Sequence, residues 1–154
     1  MTTLDEVGRT AMAGLARDRR VLGLDLGTKT IGLATADFTR QIATPRHTIA
    51  RAKFTLDAEA LLAFAGQEQI GLLVIGLPLN MDGTEGPRCQ SSRAFVRNLQ
   101  KLTPLPIVFW DERLSTVAVT RVMLEADLSR AKRAENVDKL AAAYILQSFL
   151  DTCA

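Results

Sequence analysis

The run Leu72-Leu73-Val74-Ile75-Gly76-Leu77 is the feature that most constrains the fold. It is the most apolar strand-like segment of the chain, so both of its faces are expected to be covered. A helical pattern precedes it and another follows it, which sets it parallel to an earlier strand, because parallel neighbours need a crossover. That earlier strand is 20–26, within Val21-Leu22-Gly23-Leu24-Asp25-Leu26-Gly27. Strand alternation puts Val21, Gly23 and Asp25 on one face and Leu22, Leu24 and Leu26 on the other. Both faces call for cover, so this strand also belongs in mid-sheet. A carboxylate at the tip of such a strand is costly unless a cation meets it. Asp25 either caps the turn Gly27-Thr28-Lys29 or faces a metal or a phosphate.

The remaining segments follow from periodicity and turn chemistry. Thr30–Ala36 and a stretch near 42–49 read as strands that pair with the first as antiparallel hairpins. Thr55–Gln69 reads as a helix with Leu56, Ala60, Leu61, Phe64 and Ala65 on its apolar stripe and Thr55 as N-cap. Pro78–Pro87 is a loop, Arg88–Lys101 a helix and Ile107–Trp110 the last strand. Ser115 is placed to cap a helix through about Ala126. A basic, polar linker follows, and Asn136 caps a final helix over 137–151. The order βββαβαβαα predicts an α/β domain over 20–154. Its five-stranded mixed sheet has three antiparallel strands, then two parallel ones, flanked by helices. Residues 1–19 form an N-terminal extension, either a short helix around Leu4–Leu15 or no fixed structure.

A chain of 154 residues is long enough to bury one proper core. No stretch is long and apolar enough to span a bilayer. Residues 1–20 carry Asp5, Glu6 and four arginines with no apolar signal segment, so the expected compartment is the cytoplasm. Two cysteines, Cys89 and Cys153, make neither a disulfide scaffold nor a zinc site, and reduced thiols are expected, though Cys153 near the C-terminus, if exposed, could cross-link in air. The single His47 cannot build a histidine metal cage and reads as a polar strand or loop residue. A net charge of +2 does not by itself imply nucleic-acid binding, but its distribution is uneven. Arg88, Arg93, Arg97 and Lys101 approximate one basic stripe on a helix. Arg130, Lys132, Arg133 and Lys139 crowd a second segment.

Two further acidic stations join Asp25. Asp111-Glu112-Arg113 follows the last strand directly, and Asp138 lies in the first turn of the final helix. Strand tips are where ligand sites of open α/β sheets gather. Ala141, Ala142, Ile145 and Phe149 share the helix face of Asp138, so that face is the buried one and Asp138 is expected to point at the sheet. The alanines let the helix come close, and Gly23 leaves room for it beside Asp25. Alternation sends Asp111 and Glu112 to opposite sides, so only one of them is expected to face the site. Carboxylates converging without histidine or cysteine suit Mg²⁺ or Mn²⁺. Loaded with two such ions they form a clamp for in-line attack at a phosphodiester. Lys29, Arg113 and the linker cations would hold phosphates.

The order of elements and the acids resemble a ribonuclease-H-like fold, and more narrowly the YqgF/RuvX family, described as Holliday-junction-resolvase-like and as pre-16S rRNA nucleases. Four segments carry the resemblance: Gly23–Ala34, Val74–Glu85, Asp111–Thr116 and Val137–Ala142. It implies catalytic, metal-holding carboxylates at Asp25, at Glu112 with Asp111 as the alternative, and at Asp138, with Mg²⁺ or Mn²⁺ as cofactor. Nucleic-acid contacts are expected from Lys29, Arg88, Arg93, Arg97, Arg113, Arg133 and Lys139. The implied function is processing of the 5′ end of pre-16S rRNA in ribosome biogenesis, in a monomer or homodimer that engages the small subunit. Cleavage of branched DNA as a Holliday-junction resolvase is the alternative, and a non-catalytic RNA- or ribosome-binding module is the second. The Gly-x-Asp-x-Gly-Thr turn also opens sugar kinases and actin-like ATPases, but those need two such domains and this chain has length for one.

Overall fold

The computed structural model describes residues 2–114 and 130–154, with side chains described for 2–114 and 139–154. The expected helix from Ser115 to about Ala126, and the side chains of Arg133 and Asp138, lie outside the described residues. Five strands form one sheet in the order β3-β2-β1-β4-β5. They are β1 (Arg20–Leu26), β2 (Thr30–Ala36), β3 (Ala43–Ala50), β4 (Ile70–Leu77) and β5 (Ile107–Asp111). β1 pairs antiparallel with β2 and parallel with β4, β2 pairs antiparallel with β3, and β4 pairs parallel with β5. The predicted mixed sheet is therefore the observed one.

Among the described residues four α-helices flank it: α1 (Leu4–Ala13), α2 (Phe54–Gln67), α3 (Pro87–Gln100) and α4 (Arg130–Cys153). The two faces of β1 divide as alternation predicts. Val21 joins Val74, Trp110 and the α4 side chains Ile145, Leu146 and Phe149 in one core. Leu22, Leu24 and Leu26 join Leu61 of α2 and Phe95, Val96 and Leu99 of α3 in the other. α4 lies across β1, β2 and β3, and α1 packs beside it. Ring edges lock both layers: Trp110 meets Phe149 at 5.5 Å and Phe54 meets Phe95 at 5.3 Å.

Three local expectations change. Thr55 is inside α2 rather than capping it; the cap position is Lys53, whose side chain makes no capping bond. Asp57, in the first turn, instead accepts from the Ala52 amide at 2.9 Å and so fixes the entry of the chain. The last helix starts at Arg130, so the basic stretch read as a linker is helical and Asn136 lies within the helix. Arginine, lysine and alanine are good helix formers, and a Ser/Thr/Asn cap signal inside such a run is a weak one. Cys153 is buried, its Sγ 3.9 Å from the Asp5 carbonyl, and burial pushes its thiol pKa up, which protects it from oxidation. Cys89 is also buried and free. His47 sits in β3, stacked 6.3 Å from Phe64.

Candidate active site

The tips of β1 and β5 bring two of the acidic stations, Asp25 and the Asp111-Glu112 pair, to neighbouring places on the sheet. β1 is central, so Asp25 is fully buried at its C-terminal end. Gly23, two residues earlier on the same face, lies against α4. A methyl group there would stand 2.7 Å from Leu146 Cβ and 3.1 Å from the Ala142 carbonyl. The close approach expected of glycine on alanine is thus present, and it sets the depth at which α4 crosses β1. Asp138 belongs to the same helix, three residues before Ala141.

Asp111 and Glu112 go to opposite sides. Trp110 belongs to the core under α4, so the next residue, Asp111, turns to the other face. There Arg113 ties it down, with the Arg113 amide donating to Oδ1 at 2.9 Å and Nη2 donating to Oδ2 at 2.7 Å. The hydrogen bond and charge of Asp111 raise the Arg113 guanidinium above its usual range. Arg113 Nη1 also donates to the Met81 carbonyl at 3.2 Å, which joins the β5 tip to the loop after β4. Glu112 is half-buried and lies over Gly76 on the α4 side. A methyl group at Gly76 would stand 2.8 Å from Glu112 Oε1 and 2.5 Å from Ile145 Cδ1. Gly76 follows Ile75, whose β1 partner is Leu24, so Glu112 is carried over the strand beside Asp25. Of the two candidate carboxylates, Glu112 is the one on the Asp25 face.

The loop from Pro78 to Gly86 is a built turn. Gly83 adopts φ +87°, a conformation that favours glycine, and its amide donates to the Asn80 carbonyl at 2.8 Å. Asp82 Oδ1 accepts from the Thr84 hydroxyl at 2.6 Å and the Thr84 amide at 3.0 Å. Glu85 holds Arg93 of α3 in a two-pronged pair at 2.6 and 2.7 Å, and the guanidinium lies 5.1 Å above the Phe109 ring.

The basic stripe read on α3 therefore divides. Arg93 is matched by Glu85, while Arg97 and Lys101 are exposed. Arg88 turns to the β1 tip, where it donates to the Leu26 carbonyl at 3.4 Å. Lys29 is exposed on the β1–β2 turn and Lys139 is half-buried on α4. Arg51, which the sequence reading passed over, reaches the same tip and donates to the Gly27 carbonyl at 2.7 Å. Its signal was available in the hairpin register: Ala50 pairs with Thr30, so the residue after β3 must lie beside the turn after β1.

Asp25 and Glu112 offer oxygen donors alone, the chemistry hard divalent cations take, and Gly76 leaves a cradle that any side chain would fill. Among the residues with described side chains, no three acidic, histidine or cysteine groups complete a metal cage, and the remaining station, Asp138, is outside them.

A 3-2-1-4-5 mixed sheet with α4 laid across β1, β2 and β3 is the ribonuclease-H-like architecture, the fold of the RuvC resolvases. RuvC of Thermus thermophilus in complex with its Holliday junction substrate matches with a TM-score of 0.53 at 11% identity, over 86% of this chain and 94% of that one. The family model described as RuvX, Holliday junction resolvase, matches residues 19–152. A relative from Paramagnetospirillum magneticum with the provisional name pre-16S rRNA nuclease is 64% identical over 140 residues, covering 91% of this chain and 90% of that one. One from Rhizobium etli with the same name is 58% identical over 149 residues, covering 97% and 88%. The chain belongs to the RuvX family.

Proposed function

We propose that this chain is a metal-dependent nuclease that hydrolyses phosphodiester bonds and processes the 5′ end of pre-16S rRNA. The observation that carries the reading is the position of Glu112, half-buried over Gly76 on the sheet face of the buried Asp25. The names of the relatives support the choice of RNA. Asp25, Glu112 and Asp138 would hold Mg²⁺ or Mn²⁺. Ions bound there supply an activated water and stabilise the departing oxygen. Asp25 contributes a carboxylate fixed by a central strand, and Glu112 one fixed by the turn that Asp111 and Arg113 brace. Lys29, Arg88, Arg97, Arg133 and Lys139 meet backbone phosphates. Arg93 and Arg113 serve the site by positioning the loop after β4, through Glu85 and the Met81 carbonyl.

The second reading is Holliday-junction cleavage, favoured by the description of the matching family and by the likeness to RuvC on its junction. A time course with Mn²⁺ or Mg²⁺ on an end-labelled 16S precursor and a four-way DNA junction separates the two, with EDTA and Asp25→Asn as controls. Metal-dependent cutting of the RNA alone is the expected result. Symmetric nicking of the junction moves the assignment to a resolvase. Cleavage of neither leaves a nucleic-acid- or ribosome-binding module.

A further inference from the structure

A cleft of about 460 Å³ opens at the β1 tip on the side of the sheet away from α4. Leu26, Thr28, Arg51, Arg88 and Ser91 line it, and none of its lining residues is acidic. Both guanidiniums are held in place by the turn itself, Arg51 on the Gly27 carbonyl and Arg88 on the Leu26 carbonyl. Arg51 is further braced by Asp57 at 3.9 Å and by the Phe95 ring at 5.7 Å. Arg88 makes no ion pair among the described residues. Each arginine keeps further N–H donors beyond its carbonyl bond, since a guanidinium carries five. Thr28 and Ser91 add hydroxyl donors to the lining.

Two anchored guanidiniums and two hydroxyls around one cleft make a site for a tetrahedral oxyanion. We propose that this cleft binds a backbone phosphate of the nucleic-acid strand, one that neighbours the phosphate to be cut. Asp25 points to the α4 side of β1 and the cleft opens on the other, so the held phosphate cannot be the scissile one. A strand crossing the β1 tip meets both, and the cleft fixes its register over the carboxylates. The identity of the ligand rests on the nuclease reading; the oxyanion site does not.

The test is binding of a labelled 12-nucleotide single-stranded RNA in EDTA, followed by anisotropy across a salt series. Arg88→Gln is expected to lower the slope of log affinity against log salt by about 0.7, the share of one phosphate on a single strand. Ser91→Glu, on the exposed surface of α3, is expected to fold normally and lose about tenfold or more in affinity by repelling the phosphate. Arg17→Gln, before the opposite end of β1, removes the same charge and is expected to leave the slope unchanged. Arg88→Gln and Ser91→Glu both matching the wild type, or Arg17→Gln matching Arg88→Gln, would overturn the proposal. RNA that binds through the cleft and is never cut would sink the nuclease reading alone.

Discussion

Glu112 lies directly over Gly76, its Oε1 2.8 Å from where a Cβ on that residue would stand. The same missing side chain also admits Ile145 of α4. Gly76→Ala therefore pushes on the carboxylate and on the helix together. Overpacking of this kind costs about 1–3 kcal/mol. Cleavage is expected to fall by about a hundredfold, since small misplacements of a positioned group carry large rate costs. Parallel kinetics and urea unfolding, read from the single Trp110, would check both; a stability loss with full activity would remove Glu112 from the site.

Asp25→Asn keeps the shape of the side chain and removes its charge. It is expected to abolish cleavage while leaving the melting temperature and the nucleic-acid affinity close to those of the parent. Calorimetry and the anisotropy assay decide this together. A variant that fails to fold would assign Asp25 to turn capping.

Glu112→Gln and Asp111→Asn should separate the two acids of the β5 tip. The first is expected to lose activity by about a hundredfold or more with little change in stability. The second releases Arg113 and, through it, the Met81 carbonyl. Its expected signature is faster proteolysis of the loop after β4, with cleavage reduced less than in Glu112→Gln. The reverse ranking would make Asp111 the acid of the site.

Acid stability reports on the far end of the sheet. Burial alone would raise the Glu68 carboxyl, but bonds and charge from Arg46 and Arg20 outweigh it and hold the carboxyl below its usual value. A lowered folded-state pKa contributes stability above the unfolded value, about 4.3, and that stability is lost as pH falls through the folded one. Urea midpoints of the parent should therefore drop progressively below about pH 4.3. Glu68→Gln should be less stable near neutrality and show less of that drop. Identical acid profiles would exclude Glu68 as a contributor.

How much of this was legible beforehand varies with the range of the interactions. The two-faced burial of β1 and the glycine-on-alanine seat of α4 could be read from local patterns, because Gly23 and Ala142 each carry half of a contact in their own sequence context. The separation of Asp111 from Glu112 also followed from alternation, though which of them faced Asp25 required the turn after β5 and the space over Gly76. The pairing of cations was not legible. Arg93 and Arg113 look like phosphate ligands until Glu85 and Asp111 are seen to neutralise them, and a charge pattern does not name its partner. Arg51 was missed for the opposite reason, since its role comes from the turn it lies beside. The early start of α4 escaped because polar helix residues carry no periodic signal.

The seat of α4 on β1 has a consequence for the order in which the protein is made. β1 with Asp25 emerges from the ribosome early, and the helix that closes over it only after every strand has been synthesised. Until then the α4 side of the sheet is an open apolar surface with a carboxylate in it. A nascent chain thus carries the first acid of the site without the layer that would shield and complete it. On the proposed reading, hydrolytic activity is expected only once translation has passed α4.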